Sequence, residues 1–237
     1  LNVIILVWRL VAVGQAFLDT RRTGPTGWLG IGGLLVIALV VSAATTVIAA
    51  FVGAAAAYFG GVVEKIILEV IHFLLVVPSF LILALVSQRA HGDWPVLILV
   101  LTVFGWMFTA RIVWSVTTSL REREYVQAAR YMGVGRIRIV VRHLIPNLGS
   151  LLIVSFTLGV VATVQAETAL SFVGFGVQPP DVSLGTMLSD GASTVSSSPW
   201  LFFVPAALVT LLTVSMALIG DGLRDALDLT SRSAGRA

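Results

Sequence analysis

The chain has 237 residues, of which 57% are hydrophobic and 11% are charged, and its net charge is +3. Water-soluble domains carry about 25% charged residues and disordered chains are polar, so both classes are excluded. The chain has no cysteine, which excludes disulfides, thiolate metal sites and cysteine nucleophiles. The composition therefore predicts a membrane protein whose helices each need about 20 apolar residues to cross the bilayer.

The chain starts with an apolar stretch, residues 1–13, which Arg9 interrupts. Two interpretations stay open for it, a truncated span or a helix lying at the membrane interface. No charged segment followed by a small-residue cleavage site is recognised, so no secretory signal is predicted. Together with the polar break that follows, residues 1–27 are interpreted as a cytoplasmic or interfacial N-terminal segment.

Residues 28–63 then run for 36 positions without a charge. A single helix of that length would measure about 54 Å, against about 30 Å of hydrocarbon. Two spans would leave no residues for a connecting loop. We therefore predict a first transmembrane helix over 28–41 and a second span from Ser42, with residues missing from this sequence near Val41 and Ser42.

Four further spans follow, which gives about six transmembrane helices in an all-α integral membrane fold. They cover residues 66–86, 94–116, 148–164 and 200–219. Pro78 lies inside the first of these four and is expected to bend it.

Charge predicts the orientation of the loops between these spans. Residues 121–142 hold six arginines and two glutamates, a net +4, whereas residues 165–199 hold three acidic residues and no basic one, a net −3. The positive-inside rule places the first loop in the cytoplasm. The loop over 165–199 then lies outside, and the tail, residues 222–237, returns to the cytoplasm.

The basic loop, residues 121–147, has the pattern of two short helices. Apolar residues recur at helical spacing on one side of Gly133 and again on the other side. The two predicted stripes are Tyr125, Ala128, Ala129 and Met132, and then Ile137, Val140, Val141 and Leu144. Gly133 permits a sharp turn between them, and Pro146 is expected to stop the second helix. A basic loop bound to anionic lipid is the alternative interpretation, and a helix that reads DNA is not expected on a membrane protein.

The same loop resembles the EAA motif of bacterial ABC importer permeases. That motif reads Glu-Ala-Ala, three residues, Gly, nine residues, Ile, one residue, Leu-Pro. Here Gln127, Ala128 and Ala129 are followed by Gly133 and, later, by Ile145 and Pro146. The sequence departs from the motif at Gln127, at His143 and at Ile145, and the histidine is usual in the peptide-importer branch.

Four other stretches resemble that branch, and they extend the similarity over roughly residues 42–228. They are residues 57–61, 77–81, 169–180 and 220–228. The resemblance is to the C-type permease of dipeptide and oligopeptide importers, whose relatives also carry nickel. It implies a type I ABC permease domain over 42–221. The Gly-Thr-Asp and Gly-Arg-Asp segment of the family is absent before the second span, where the apolar run is too long.

The resemblance implies partners and a role for the basic loop. Such permeases work in the bacterial inner membrane with a second homologous permease, two ATP-hydrolysing subunits and an extracytoplasmic peptide-binding protein. The loop would act as a coupling helix in a groove of the ATPase. The residues implied in this contact are Tyr125, Gln127, Ala128, Ala129, Met132, Gly133, Ile145 and Pro146.

This chain is not expected to be an enzyme. A Walker A motif needs Gly-Lys followed by Ser or Thr, and the only lysine, Lys65, is followed by Ile66. ATP and Mg²⁺ are therefore expected on partner subunits, and no cofactor or metal is expected here. Nucleic acid is not expected as a partner.

The outer loop holds candidate gate residues, namely Glu167, Phe172, Phe175 and Gln178. An ionisable residue at membrane depth is a functional candidate. For Glu167 we favour a structural hydrogen-bonding role over direct contact with a peptide. The two phenylalanines could equally pack at the membrane interface.

Three other functions stay open. One is a secondary transporter driven by protons through Glu167, although no internal repeat is seen and intramembrane acids are scarce. Another is a nickel-type ABC permease, and the last is a membrane scaffold without transport. Neither the cargo nor the length of a transported peptide can be read from the sequence.

Overall fold

The computed structural model describes residues 31–89, 94–177 and 182–227, and all regular secondary structure within these ranges is helical. The fold class predicted from composition is thereby confirmed. The predicted N-terminal segment over residues 1–27, the candidate gate residue Gln178 and the last ten residues of the tail lie outside the described residues.

Ten α-helices make up the described chain. In order they are α1 (Ile31–Phe59), α2 (Gly61–Val76), α3 (Ser79–Arg89), α4 (Trp94–Gly105), α5 (Met107–Leu120), α6 (Glu124–Tyr131), α7 (Arg136–Ile139), α8 (Gly149–Phe172), α9 (Leu184–Ser193) and α10 (Trp200–Leu227). A π-helical turn, Val140–Leu144, and a 3-10 turn, Ile145–Leu148, join α7 to α8.

Four helical stretches of the described chain are long and apolar enough to cross a membrane. They are Gly33–Phe59, Pro95–Leu120, Gly149–Phe172 and Trp200–Ala226, and the bent pair α2 and α3 would make a fifth. The count of about six included two spans within residues 28–63. The structure instead has one continuous helix there, because neither a charged residue nor a proline interrupts the chain between Ile31 and Phe59.

A break at Pro78 separates α2 from α3. The two helices diverge by 72°, and Val77 between them has the extended backbone angles φ −68° and ψ 126°. The ring of a proline disfavours helical angles in the residue before it. The bend predicted at Pro78 is therefore present as a break of the helix.

The chain divides into two compact units. Within the described residues, the loop unit consists of 42–78, 102–157 and 220–227, and the outer unit consists of 31–41, 79–89, 94–101, 158–177 and 182–219.

Small residues let the helices of the loop unit approach closely. A Cβ atom on Gly53 of α1 would collide with the carbonyl oxygen of Ala110 and lie 2.9 Å from Cβ of Val113. Likewise, a Cβ on Gly105 would lie 2.9 Å from Cγ2 of Thr45. Close backbone approach through small residues is typical of helix pairs in membranes. This packing holds α1 against α4 and α5, and the basic loop starts where α5 ends.

Candidate functional site

The helix α6 of the basic loop is held against the spans by two small apolar side chains. Val126 and Ala129 are each about 1% exposed and share one cluster with Ala54 of α1 and Val113 of α5. Ala129 therefore faces inward, as part of the anchor of the loop rather than of its outer surface.

The turn after α6 is built on Gly133. Its φ is +76°, in the left-handed region that glycine occupies without steric cost. The N–H of Gly133 donates to the carbonyl of Arg130 and the N–H of Val134 donates to the carbonyl of Ala129, both at 3.1 Å. This pair of bonds is a Schellman motif, which satisfies carbonyls at the end of a helix. The turn predicted at Gly133 is present.

Beyond the turn, the chain packs one side of α7 and the following turns into the same cluster. The buried residues are Ile139, Val140, Leu144 and Leu148. Helical backbone continues past Pro146, so the prediction that this proline ends the second helix is corrected. Proline has no N–H and clashes inside an α-helix. The chain accommodates it by changing from π to 3-10 geometry before α8 begins.

The predicted coupling residues divide into an inner and an outer group. Ala129 is buried, Gln127 and Ile145 are partly buried, and the others are exposed: Tyr125, Ala128, Met132, Gly133 and Pro146. Met132 is 75% exposed and Tyr125 is 39% exposed. The predicted stripe is thus split, because Val126 and Ala129 form the packed side of α6. The second predicted stripe is split too, since Ile137 and Val141 are exposed while Val140 and Leu144 are buried.

An arginine ties the start of the basic loop to the end of α1. Nη1 of Arg121 donates to the carbonyl of Ala57 at 2.6 Å, and Nε2 of Gln127 donates to the carbonyl of Arg121 at 3.2 Å. A basic side chain at the carboxyl end of a helix complements its unsatisfied carbonyls and its dipole. Gln127 therefore supports the same junction, a role that its place in the motif did not suggest.

A second hydrogen bond, in the first turn of α2, joins α2 to α5. Nε1 of Trp114 donates to Oε1 of Glu64 at 2.7 Å. Gly60 precedes α2 with φ +66°, and a Cβ there would lie 3.7 Å from Nη1 of Arg121. The ends of three helices thus meet around Gly60.

A cavity of about 440 Å³ lies between the end of α1 and the basic loop. Its lining includes Tyr58 and Phe59 from α1 and three arginines, Arg121, Arg130 and Arg136. The charge of the loop was evident from its arginines, but nothing in the sequence indicated that three of them border one cavity.

Glu167 lies at the centre of a buried polar network in the outer unit. Its side chain is fully buried, and its Oε1 accepts a hydrogen bond of 2.6 Å from Oγ of Ser171. The same Oγ accepts the N–H of Val177 at 3.1 Å. Oε2 of Glu167 has no hydrogen-bond partner among the described residues. The geometry agrees with the structural role favoured for Glu167, which remains a prediction.

The chain after Glu167 makes a tight turn. Gly174 has φ +89°. The N–H of Phe175 donates to the backbone carbonyl of Leu170 at 2.8 Å, and the N–H of Gly174 donates to the backbone carbonyl of Ser171 at 3.0 Å. Phe172 is exposed and Phe175 is partly buried. The structure thus brings Glu167, Phe172 and Phe175 into one segment, and their role as a gate stays a prediction.

The segment over residues 165–199, predicted to lie outside, also contains a helix, α9, that was not predicted. Its start carries a capping box: the N–H of Thr186 donates to Oγ of Ser183 at 3.2 Å, and the N–H of Ser183 donates to Oγ1 of Thr186 at 2.9 Å. A Cβ on Gly185 would lie 2.6 Å from Cβ of Ser171, so α9 packs directly on the Glu167 network. The Ser-x-x-Thr spacing was the available signal for this helix.

Residues 47–232 of the chain match the model of a protein family described as "Binding-protein-dependent transport system inner membrane component". The chain is similar to an "Oligopeptide transport system permease protein OppC" of Mycobacterium tuberculosis (strain ATCC 25618 / H37Rv), with 50% identity over 172 residues. The matched segment is 72% of this chain and 59% of that protein, so the chain spans less than two thirds of that relative's length.

Other relatives are similar over shorter parts of their own length. A "Dipeptide transport system permease protein DppC" of Bacillus subtilis (strain 168) is 38% identical over 168 residues, which are 70% of this chain and 52% of that protein. An "Oligopeptide transport system permease protein OppC" of Salmonella typhimurium is 42% identical over 128 residues. These residues are 54% of this chain and 42% of that protein.

Proposed function

Because the chain belongs to the family of binding-protein-dependent transport system inner membrane components, we propose that it is a permease subunit of an ATP-driven peptide importer. It forms half of the translocation pathway with a second homologous permease. Two ATP-hydrolysing subunits work from the cytoplasm, and an extracytoplasmic binding protein delivers the peptide. Relatives whose names specify oligopeptide and dipeptide transport support this cargo class.

The observation that carries the proposal is the exposed apolar surface of an otherwise well-anchored loop. Tyr131 is 86%, Met132 75% and Ile137 72% exposed, whereas Val126 and Ala129 beside them are packed into the core. An apolar surface on a rigid support matches a helix that lies in a groove of a partner. Ala128, exposed between Tyr125 and Met132 on the outer side of α6, permits close approach of that partner.

Rigidity gives this surface a mechanical role. The Schellman turn at Gly133 and the bond from Arg121 to Ala57 connect the loop to α1 without a flexible linker. Displacement of the loop by a closing ATPase would therefore move the attached helices as rigid bodies. ATP binding would in this way open the pathway outward, and hydrolysis would reset it.

The outer segment, residues 165–199, serves as the docking region of the binding protein. Its Glu167 network and capped helix α9 hold the described parts of the segment, residues 165–177 and 182–199, in a defined conformation. The predicted topology supports this assignment, since the basic loop is expected inside and the acidic segment outside. The C-terminus is accordingly cytoplasmic, and the protein lies in the bacterial inner membrane.

The test uses the assembled importer in vesicles and a pair of substitutions at one position. Met132→Glu places a charge on the proposed contact and should abolish both peptide-stimulated ATP hydrolysis and uptake. Met132→Leu keeps an apolar side chain of similar size and should retain most of both activities. Uptake and stimulated hydrolysis at wild-type level in Met132→Glu would contradict the proposal.

A second measurement separates the proposal from the proton-driven alternative. Uptake is followed with ATP present while an ionophore collapses the proton gradient. Continued uptake is expected, because Glu167 is enclosed and bonded to Ser171. Loss of uptake under these conditions would favour proton coupling.

A further inference from the structure

The cavity between α1 and the basic loop has an unusual excess of positive charge. Among the described residues, three arginines line it, and Glu122 is the only acidic residue in its lining. That carboxylate already accepts a hydrogen bond of 3.1 Å from Nε of Arg121. Gln127, which also lines the cavity, is neutral. The walls therefore carry a net charge of +2.

Two of these arginines are available to a ligand. Arg121 bonds to Ala57 and Glu122, whereas the side chains of Arg130 and Arg136 have no hydrogen bond or ion pair to any residue that the structure describes. Guanidinium groups are fully charged at neutral pH and bind phosphate through paired N–H donors. The cavity thus offers an anion site of about 440 Å³, large enough for a phosphate group and its substituent.

The cavity lies at the depth of lipid headgroups. Phe59, in its lining, is the last residue of an apolar span that covers Gly33–Phe59. The hydrocarbon core ends where such a span ends, and the headgroup layer begins there. Phe59 is also 37% exposed, so its ring is accessible at this boundary.

Ala128 and Met132 lie away from the cavity. At 3.6 residues per turn, Val126, Gln127 and Arg130 share one face of the helix, and Ala128 and Met132 project from the opposite face. Gln127 and Gly133, which the motif also implies in the ATPase contact, line the cavity itself. A ligand in the cavity would therefore leave Ala128 and Met132 free.

We propose that this cavity binds a phosphate-bearing anion, carried on the headgroup of an anionic lipid of the cytoplasmic leaflet. The phosphate pairs with Arg130 and Arg136, and the acyl chains continue past Phe59 along the apolar span. Basic pockets at the cytoplasmic ends of transmembrane helices are suited to such headgroups. The site would connect the basic loop to the bilayer independently of any ATPase.

The experiment measures binding of dioleoyl phosphatidylglycerol to the full chain by native mass spectrometry from detergent, with dioleoyl phosphatidylcholine as the uncharged comparison. The cavity variant is Arg130→Gln with Arg136→Gln. The matched control is Arg138→Gln with Arg142→Gln, which removes two charges from the same loop at exposed positions outside the cavity lining.

The cavity variant is expected to weaken binding of phosphatidylglycerol by about tenfold or more, because charge-assisted hydrogen bonds are lost. The control should weaken it by no more than about threefold, since only screened surface attraction is lost. Equal weakening in the two variants, or none in either, would overturn the proposal. Thermal unfolding of each variant in detergent verifies that it is folded.

Two further variants test the charge of the cavity, and a displacement experiment identifies the source of the phosphate. Arg130→Lys with Arg136→Lys keeps the charge but loses the paired N–H donors, so its binding should lie between that of the wild type and that of the cavity variant. Gln127→Glu supplies an internal carboxylate and should reduce binding. Displacement of the lipid by inorganic phosphate at matched ionic strength would assign the cavity to free phosphate and overturn the lipid assignment.

The lipid site and the ATPase contact can be tested separately, so one proposal can be refuted without the other. Met132→Glu lies on the other face of α6 and should bind phosphatidylglycerol like the wild type. If the cavity variant instead keeps its lipid and loses an ATP-hydrolysing subunit, the cavity receives a carboxylate of that subunit and the lipid proposal is overturned.

Discussion

Replacing Gly133 by alanine isolates the contribution of one backbone conformation to the basic loop. Gly133 has φ +76°, and a Cβ atom placed on it would have no atom within 4 Å. The substitution therefore adds no collision and removes no contact. Its effect is the cost of holding an L-residue in the left-handed region, about 1–2 kcal/mol.

Gly135 provides the matched control within the same turn. Its φ is −58°, and an added Cβ there also meets nothing within 4 Å. Gly135→Ala should be neutral or should stabilise the protein by about 0.4–1 kcal/mol, because alanine lowers the entropy of the unfolded chain. Asparagine tolerates the left-handed region better than alanine, so Gly133→Asn should have an intermediate effect.

Hydrogen exchange of backbone amides reports the local change directly. The amides of residues 133 and 134 close the Schellman motif, and a cost of 1–2 kcal/mol raises their opening about 5- to 30-fold. Exchange at these amides should therefore accelerate in Gly133→Ala and stay unchanged in Gly135→Ala. Equal exchange in the two variants would refute the role of the left-handed backbone at Gly133.

Two further substitutions test the packing on which the proposed functions depend. Ser171→Ala removes the donor to Oε1 of the buried Glu167 and should destabilise the protein by about 1–3 kcal/mol, measured as thermal unfolding in detergent; an unchanged midpoint would contradict this network. Gly53→Ala forces a Cβ against the carbonyl of Ala110 and should cost about 1–3 kcal/mol or more. Gly149→Ala, where a Cβ meets nothing, should not destabilise, and similar losses in both variants would show that close approach at residue 53 is unimportant.

Composition and charge predicted much of the architecture. Long uncharged runs indicated the spans, and Gly133 indicated the turn of the basic loop because few other residues accept its backbone angles. Local sequence did not predict which face of α6 is packed. The predicted stripe was Tyr125, Ala128, Ala129 and Met132. Of these only Ala129 is buried, together with Val126, because the tertiary contacts with α1 and α5 decide the orientation.

Hydrogen bonds between residues far apart in the chain were the least predictable feature of the structure. Arg121 contacts Ala57, which lies 64 positions earlier in the chain, and Trp114 contacts Glu64, which lies 50 positions earlier. Such pairs leave no periodic signal in a single sequence. The cavity lined by Arg130 and Arg136 likewise depends on how the loop returns to the end of α1, which only the structure describes.

The central claim, that an ATP-hydrolysing partner holds the basic loop, can be tested by site-specific crosslinking. The chain has no cysteine, so Met132→Cys introduces a unique thiol at the exposed C-cap of α6. Val195→Cys, at a position that is 41% exposed in the outer segment, is the control. In membranes containing the assembled importer, we expect a thiol-specific crosslinker to join the first variant, and not the second, to an ATP-hydrolysing subunit. No adduct at residue 132, or equal adducts at both positions, would contradict it.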